Sequence, residues 1–449
     1  MKTKTASPSK SIEERLNDYP ELKAKIEGLL SVVENAAGDL IKADAAEERV
    51  IEEIRQLGQT ALQTWATRQE TQQSEAYKAA NPSSHRGGKK KLYWYSRYGR
   101  IEVLEQRYIQ FGGEAEQVVR PFQKAAEVHC RGYSRPLQRV ITDFGSDVAF
   151  GKIPQKMKEH HGVSIPISAG QTITEIHAQH ILEAQNWETE IPAIEGVEFL
   201  IAEMDGTMVP IVETTPSEID GIKVDRRKTR QISWKEARLT SARKPEQKQP
   251  IFGGTIGSVD DAGAALLDSA IRAGLGEETF VHGVGDGAPW IASQIDHRFG
   301  ELSRYLLDFY HVCEYLADAS RICSPNAPKA WMDEQKQQLK CNHFSAVLEA
   351  LKPYREPDSV PDKLAVVRAA YRYLFNRPNH LDYKNTLDSN LPIGSGEIES
   401  AHRYVIQSRL KLAGSWWTIE NAKAMLALRV CRANHNWDAY WLKLSSILS

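Results

Sequence analysis

The sequence lacks paired cysteines and long apolar runs, and each absence excludes a class of protein. The five cysteines are scattered through 449 residues with no Cys-x-x-Cys pair. We therefore expect neither a disulfide framework nor a structural zinc knot, and predict a reducing, cytoplasmic location. No run of 18 or more apolar residues occurs, so no membrane span and no membrane partner are expected. The basic first residues, MKTKTASPSK, lack the apolar stretch of a secretory signal.

An excess of positive charge is also missing. The chain has 57 basic and 59 acidic residues and a formal net charge of -2, which by itself does not indicate a nucleic-acid partner. The basic residues are nevertheless clustered at 86–91 (RGGKKK), 226–230 (RRKTR) and 235–248. Each cluster is either solvated surface or part of a DNA-binding surface, and the sequence alone does not choose between the two.

The N-terminal part is predicted to be helical and to lead into a small β module. Residues 11–80 show helical spacing of apolar residues with a break at 37–39, which predicts a helical arm or hairpin. Residues 81–91 are rich in turn formers and basic residues and predict a linker. Residues 92–111 alternate apolar and polar positions around Tyr98-Gly99-Arg100, as a β-hairpin does.

Three helices are predicted between residues 133 and 184. Ser134 is placed to cap the first, the second ends at Gly162, and Ser168 is placed to cap the third. This arrangement is typical of a helix-turn-helix, although an all-helical packing module would show the same pattern. In the DNA-binding interpretation, the residues near the start of the recognition helix are Gln171, Thr172 and Thr174.

Two predicted strands lead to an Asp-Gly pair. Residues 199–205 form an apolar run that ends in Asp205, and residues 279–284 form another that is followed by Asp286. Glycine after each acid lets the backbone turn and leaves the carboxylate uncovered. Further strands are predicted at 208–212, 231–237, 251–258 and 306–308, and helices at 262–273 and 290–299. This order of elements predicts a mixed sheet with helices packed on its faces.

A third acid, Glu399, lies at the start of a predicted helix after a Gly-Ser-Gly loop. Three carboxylates in one pocket could hold two divalent ions, which stabilise the attacking and leaving oxygens of a phosphodiester. Mg²⁺ prefers such oxygen ligands. Asp-Gly is also a common turn, so spacing alone leaves open whether these acids form a site. Glu397 competes with Glu399, because residues two apart on a helix point to different faces.

Several motifs in the C-terminal part resemble those of a known family. They are MDGTMVP, GDGAPWI, LLDFYHVCEYL, PIGSGEIESAHR and RLKLAGSWW, followed by ALRVCRAN and WDAYW, from about residue 198 onward. In this order they resemble ISKra-type bacterial insertion-sequence transposases, which are relatives of the Mutator-like group.

The resemblance implies an α+β protein with a ribonuclease H-like catalytic domain, in which a mixed sheet carries helices on both faces. By motif, its metal-binding Asp-Asp-Glu triad is Asp205, Asp286 and Glu399. It implies Mg²⁺ as cofactor, with Mn²⁺ as a substitute, and DNA as partner, both the terminal inverted repeats and the target. A homo-oligomer is expected because two element ends must be held.

The resemblance also implies a domain organisation and further site residues. We expect a helical arm at 1–80, a DNA-binding module at 81–190 and a catalytic domain at 191–449 with a helical insertion at about 312–390. Asp308 and His311 match the Asp-x-x-His signature of Mutator-like enzymes. His311 either positions DNA or steadies the active site, or it is a buried histidine bonded to Asp308.

Other residues after Glu399 are candidates for contact with DNA. Arg403, Arg409 and Lys411 are expected either to bind phosphates or to be ordinary surface charges. Trp416 and Trp417 are expected either to pack in the core or to stack on an unpaired base. Two rival functions stay open: a metal-dependent nuclease that cuts without joining, and a domesticated DNA-binding protein that keeps the fold.

Overall fold

The computed structural model describes residues 10–112, 115–214, 218–219, 222–223, 225 and 229–446. The chain divides into two compact units, Met1–Thr174 and Glu175–Ser449. The domain boundaries expected from the sequence, after residues 80 and 190, stay predictions.

Helices open the first unit. They are α1 (Ile12–Asn17), α2 (Pro20–Val33) and α3 (Ala43–Ala80). Ser11 and Glu14 form a capping box at the start of α1. Lys25 on α2 donates a hydrogen bond to Gln56 on α3 at 2.7 Å, which links the two helices as neighbours. The predicted helical N-terminal region, with its break at 37–39, is confirmed.

A three-stranded antiparallel sheet follows, with the order β1-β2-β3. Its strands are β1 (His85–Ser96), β2 (Gly99–Gly112) and β3 (Ala115–Val119). The predicted hairpin is confirmed, and Ser96 pairs with Gly99 across its turn. The predicted linker is wrong from His85 onward, because the pairing of β1 with β2 continues past an irregularity between Arg86 and Lys89. Gly88, with a φ of +79°, supplies the bent backbone that this irregularity needs.

The inner face of this sheet packs on helices. Leu92 and Trp94 of β1 and Ile101 and Val103 of β2 are buried against Ala66 of α3 and Phe122. Phe122 belongs to the short helix α4 (Pro121–Ala125). Alternate residues of each strand thus form a small core, as the alternation in the sequence predicts.

The three predicted helices of the next segment are present. They are α5 (Arg135–Asp147), α6 (Ile153–His161) and α7 (Ile167–Glu183). Ser134 caps α5, and Gly162 ends α6 in the left-handed conformation. The prediction that Ser168 caps α7 is wrong, because the helix already includes Ile167 and its first bond runs from the Gly170 N–H to the Pro166 carbonyl. The boundary between the two units falls within α7.

A mixed five-stranded sheet is the centre of the second unit, with the order β10-β9-β4-β7-β8. Its strands are β4 (Phe199–Thr214), β7 (Arg230–Arg243), β8 (Ile251–Thr255), β9 (Phe280–Gly285) and β10 (Ser303–Leu307). Strands β4, β9 and β10 are parallel, whereas β7 is antiparallel to both β4 and β8. Between β4 and β7 lie β5 (Glu218–Ile219) and β6 (Ile222–Lys223), which pair with each other.

The helices of this unit follow β8. They are α8 (Val259–Ala273), α9 (Pro289–Phe299), α10 (Phe309–Cys323), α11 (Pro328–Lys340), α12 (Phe344–Leu351), α13 (Val366–Phe375), α14 (Tyr383–Asp388), α15 (Gly396–Ala401), α16 (Ser408–Leu410), α17 (Ile419–Ala433) and α18 (Trp437–Ser446).

Helices pack on both faces of the sheet. On β8, a side chain at Gly253 would meet Ala265 of α8, whereas one at the next residue, Gly254, would meet Val430 of α17. Because successive residues of a strand face opposite sides, α8 and α17 cover opposite faces. The chain therefore has the α+β fold expected from the sequence.

The helices predicted between residues 312 and 383 are also present. Helices α10 to α14 build a second core, which includes Val312, Leu339, Val347 and Leu374. Tyr383 of α14 donates a hydrogen bond to the carbonyl of Leu307 on β10 at 3.0 Å, and so attaches this core to the edge of the sheet.

One strand prediction is wrong. Residues 199–205 and 208–212 form a single strand, β4, rather than two. Strand β7 pairs with β4 from Ile201 to Thr214 without a break, so Asp205-Gly206 stays extended where the local sequence predicts a turn. Pairing with a distant strand outweighs the local preference of the Asp-Gly pair.

Among the described residues, the helices are too short or too polar to cross a membrane.

Candidate active site

Asp205 and Asp286 lie side by side because their strands are parallel neighbours. The pairing of β4 with β9 ends at Glu203 and Val284, and each aspartate follows two residues later. The N–H of Gly206 donates to Asp205 Oδ1 at 2.7 Å, and the N–H of Ala288 donates to Asp286 Oδ1 at 2.9 Å. Both carboxylates are thus oriented by the backbone directly after them.

The turn after β9 is held rigidly from two sides. Gly287 has a φ of +84° and donates its N–H to the Tyr305 hydroxyl at 2.9 Å. Tyr373 of α13 donates its hydroxyl to the Asp286 carbonyl at 2.6 Å, and Arg377 donates to the Gly287 carbonyl at 2.8 Å. Tyr373 of α13 and Arg377 just after it therefore fix the backbone that carries Asp286.

Glu399 reaches the same place through the Gly-Ser-Gly loop before α15. Asp308 is buried and accepts hydrogen bonds from the Ser395 N–H and Oγ, both at 2.6 Å. The N–H of Phe309 donates to the Ile393 carbonyl at 2.8 Å. These bonds hold the loop against the start of α10, which carries His311. His311 Nδ1 lies 3.6 Å from Glu399 Oε1.

Asp308 also caps α10, since it accepts the N–H groups of Tyr310 and His311 at 2.6 and 3.0 Å. The side chain of His311 is not buried and turns to Glu399 instead, so the interpretation of His311 as a buried partner of Asp308 is wrong. One ligand atom each from Asp308, His311 and Glu399 lie within 4.8 Å of one another.

The charges of the acids interact. Burial, together with the neighbouring charge of Asp286, raises the pKa of Asp205 to about 6, against the lowering effect of the Gly206 N–H. Burial also raises the pKa of Glu399, and Asp308 and Asp205 add to this effect. Crowded carboxylates that resist ionisation are typical of functional sites. The charges of the predicted acids therefore act on one another, whereas the ligand atoms that lie within 4.8 Å of one another are those of Asp308, His311 and Glu399.

The structure separates Glu397 from Glu399. Glu397 bonds to Arg243 on β7, while Glu399 faces His311. The two glutamates point to different sides of α15, as their spacing requires. Glu399 is therefore the residue that belongs to the cluster.

Two buried residues of the site were missed by the sequence analysis. Glu203 accepts the Ile398 N–H at 2.9 Å, and burial raises its pKa to about 8. His402 Nε2 lies 3.4 Å from Asp205 Oδ2, and burial lowers the pKa of His402 to about 4. The available signals were spacings: Glu203 is two residues from Asp205 on a strand, and His402 is three residues from Glu399 on a helix. His402 opens a π-helical segment at 402–407, a distortion that is frequent at functional sites.

The basic residues after Glu399 differ in accessibility. Arg403 and Lys411 are exposed, and Lys411 Nζ donates to Thr207 Oγ1 at 2.5 Å. Arg409 is only 1% exposed, with its guanidinium 4.8 Å from the centre of the Trp417 ring. The prediction that Arg409 binds phosphate is therefore wrong, because DNA cannot reach it. Trp417 is buried in the core, whereas Trp416 is exposed.

On α7, Gln171 and Thr172 are exposed and Thr174 is not. Thr174 is fully buried against Gly145 and donates its hydroxyl to the Gly170 carbonyl at 2.7 Å. The prediction that Thr174 contacts a base is wrong, because its side-chain hydroxyl is bonded within the protein core.

The comparisons with known proteins bear on the C-terminal region. Residues 276–439 match the family model of an uncharacterised protein family, UPF0236. The matched segment includes Asp286, Asp308, His311 and Glu399, but not Asp205. No curated protein matches the chain. The part of the chain that carries Asp286, Asp308, His311 and Glu399 is thus similar to that uncharacterised family.

Proposed function

We propose that this protein is a DNA transposase of an insertion sequence, of the ISKra type within the Mutator-like group. It cleaves DNA at the ends of the element and joins those ends to target DNA. The observation that carries this proposal is that Asp205 and Asp286 follow paired positions of two parallel strands, and that the charge of Asp205 also acts on Glu399. These three acids are separated by 81 and 113 residues in the chain.

The donor atoms suit a hard divalent cation. Asp205, Asp286 and Glu399 offer carboxylate oxygens, which Mg²⁺ and Mn²⁺ accept as ligands. Burial and mutual repulsion raise the pKa of Asp205 and Glu399, and a bound cation reverses that penalty. When bound, such ions stabilise negative charge on the attacking and leaving oxygens of the phosphodiester. The residues present therefore fit a magnesium site.

Asp308 has a different role in this proposal. Both of its oxygens already accept hydrogen bonds, one from Tyr310 and His311 and the other from Ser395. Asp308 is therefore a positioning residue, which fixes the loop before Glu399 and the start of α10.

His311 and Lys411 provide the remaining chemistry of the chain itself. His311 Nδ1, beside Glu399, can hold the proton that the attacking hydroxyl gives up. Lys411 is exposed and bonds to Thr207, two residues beyond Asp205. It lies where it can contact a phosphate next to the reacting one, with Arg403 as a further exposed cation.

Partner and assembly follow from the proposed reaction. The substrates are the terminal inverted repeats and a target duplex, and a homo-oligomer holds the two ends together. A metal-dependent nuclease would use the same three acids, so the joining step is what separates the two functions.

The test is a cleavage and strand-transfer assay in Mg²⁺, with a labelled duplex that carries the DNA flanking the gene and an unlabelled plasmid as target. Glu399→Gln and Asp286→Asn should each lower cleavage by at least about 100-fold and leave DNA binding nearly intact. A loss of this size exceeds the effect of removing a residue that only bonds to a metal ligand. Glu397→Gln is the matched control on the same helix and should cleave within about threefold of the unchanged protein, since its amide oxygen can still accept the bond from Arg243.

Three outcomes would count against the proposal. Full cleavage by Glu399→Gln would show that the assigned triad is wrong. Cleavage without joined product would favour the nuclease, and DNA binding without cleavage by the unchanged protein would favour the domesticated DNA-binding protein.

A further inference from the structure

Strands β4 and β7 continue as a two-stranded ribbon beyond the rest of the sheet. Strand β9 pairs with β4 only as far as Glu203, whereas β7 stays paired with β4 up to Thr214. We define the ribbon as residues 206–214 and 230–238. It starts directly after Asp205 and extends past the end of β9, where Asp286 follows. The ribbon therefore lies beside the opening of the candidate active site.

One face of the ribbon exposes large apolar side chains. Directly paired residues share a face, and the pairs on this face are Met208 with Glu236, Pro210 with Trp234, Val212 with Ile232, and Thr214 with Arg230. Trp234 is 57% exposed, Ile232 55% and Met208 46%, whereas Val212 on the same face is buried. Such a group of neighbouring exposed apolar side chains marks an interaction surface rather than ordinary surface.

A second tryptophan joins this surface. The carbonyl of Trp417 accepts the Val212 N–H at 2.8 Å, which places the segment before α17 along the free edge of β4. Its neighbour Trp416 is 44% exposed, and the guanidinium of Arg230 lies 4.7 Å from the centre of its ring. Two indole rings and an arginine thus lie on or beside the same ribbon.

The positive charge on this face comes from Arg230. Arg230 is exposed and lies on the same face as Trp234, while the charge of Glu236 is matched by its bond to Arg238. Within the ribbon, Arg230, Lys235 and Arg238 outnumber Glu213 and Glu236. Exposed aromatic rings beside an exposed arginine favour a partner that has both flat rings and negative charge.

We propose that this ribbon binds an unpaired stretch of DNA next to the reacting end, with Trp234 and Trp416 stacking on bases and Arg230 contacting the backbone. Aromatic rings can stack on any base, so this surface would bind DNA of any sequence. The inference rests on the proposed function, because it takes DNA as the substrate. It adds that the bound DNA is unpaired at this position.

The test measures binding of the full-length protein to an oligothymidylate of about 12 nucleotides, a length within the ~4–16 nucleotides that stacking surfaces cover. Fluorescence anisotropy compares Trp234→Ala/Trp416→Ala with Trp234→Phe/Trp416→Phe and with Trp65→Ala. Trp65 is a matched control, because it is also 44% exposed but belongs to the first unit. Circular dichroism checks that each variant is folded.

We expect the double alanine variant to bind the oligothymidylate about 10- to 100-fold more weakly, the loss that removal of one or two stacked bases gives. The double phenylalanine variant and Trp65→Ala should stay within about threefold, since phenylalanine still stacks. A 2-aminopurine base placed in the oligonucleotide should be quenched on binding by the unchanged protein but not by the double alanine variant.

The inference would be overturned if the double alanine variant bound the oligothymidylate with unchanged affinity. It would also be overturned if the ribbon proved to join two copies of the chain. In the second case sedimentation would show that the double alanine variant loses an oligomer and keeps its affinity for the oligothymidylate. If the unchanged protein cleaves and joins flanking DNA while the alanine variant binds normally, the inference fails and the proposed function stands. If Asp286→Asn cleaves as well as the unchanged protein but the alanine variant loses affinity, the proposed function fails and the unpaired-DNA surface stands.

Discussion

Glu203 accepts the backbone N–H of Ile398 at 2.9 Å, and this single bond joins the strand of Asp205 to the helix of Glu399. Both residues are buried. Glu203 lies two positions before Asp205, and Ile398 immediately precedes Glu399. The position of Glu399 relative to Asp205 therefore depends on the buried side chain of Glu203.

We predict that Glu203→Leu lowers both the free energy of unfolding and the rate of cleavage. Leucine cannot accept the Ile398 N–H, and a buried donor without an acceptor costs about 1–3 kcal/mol in the free energy of unfolding. Cleavage should fall by at least about tenfold because the start of α15 shifts, and a misplacement of about 1 Å can cost more than that.

Glu203→Gln is the control for this prediction, since its amide oxygen still accepts the bond. Glu203→Gln should unfold at nearly the same urea concentration as the unchanged protein and cleave within about threefold of it, because the bond is preserved. Urea unfolding and the cleavage assay measure the two effects. Normal cleavage by Glu203→Leu would contradict the positioning role of Glu203.

The raised pKa of Asp205 predicts how stability varies with pH in the absence of metal. Burial and the charge of Asp286 raise this pKa from 3.8 to about 6, so the folded chain holds a proton that the unfolded chain has released. The resulting stabilisation is complete below the unfolded pKa and is lost as the pH rises through about 6. The loss is at most about 3 kcal/mol, and solvent screening reduces it.

Asp205→Asn should therefore unfold at a higher urea concentration than the unchanged protein at pH 8 in EDTA, and the difference should vanish near pH 4. Asp296→Asn, an exposed aspartate on α9, is the control and should show no such pH dependence. Added Mg²⁺ should stabilise the unchanged protein at pH 8 more than it stabilises Asp205→Asn, because binding to the folded state shifts unfolding. A constant difference between pH 4 and pH 8 would refute this reasoning.

Arg409 and Arg403 should respond differently to the same substitution. Arg409 is buried over the Trp417 ring, so Arg409→Gln should lower the free energy of unfolding by about 2 kcal/mol or more. Arg403→Gln, at an exposed position, should change it by less than about 0.5 kcal/mol and instead weaken the salt-dependent binding of duplex DNA. Urea unfolding and anisotropy at two salt concentrations distinguish the two results. Equal stability of the two variants would show that the burial of Arg409 has no structural role.

Local sequence was a good guide where a short segment dictates its own conformation. The cap at Ser134, the end of α6 at Gly162 and the hairpin turn after Ser96 depend on neighbouring residues only, and all three are present. Local sequence was a poor guide where a distant partner decides. Asp205-Gly206 has the composition of a turn but is extended, because β7 pairs with β4 across it.

The sequence by itself determined that Asp205 and Asp286 each belong to an apolar strand segment and that Glu399 begins a helix after a flexible loop, since periodicity and glycine placement are local properties. Only the tertiary structure decided that Glu399 lies beside His311 while Glu397 bonds to Arg243, that Thr174 and Arg409 are buried, and that Glu203 and His402 are buried next to the segments of the predicted acids. Burial and proximity arise from segments that are far apart in the chain, and no pattern within one segment records which residues its packing partner will cover.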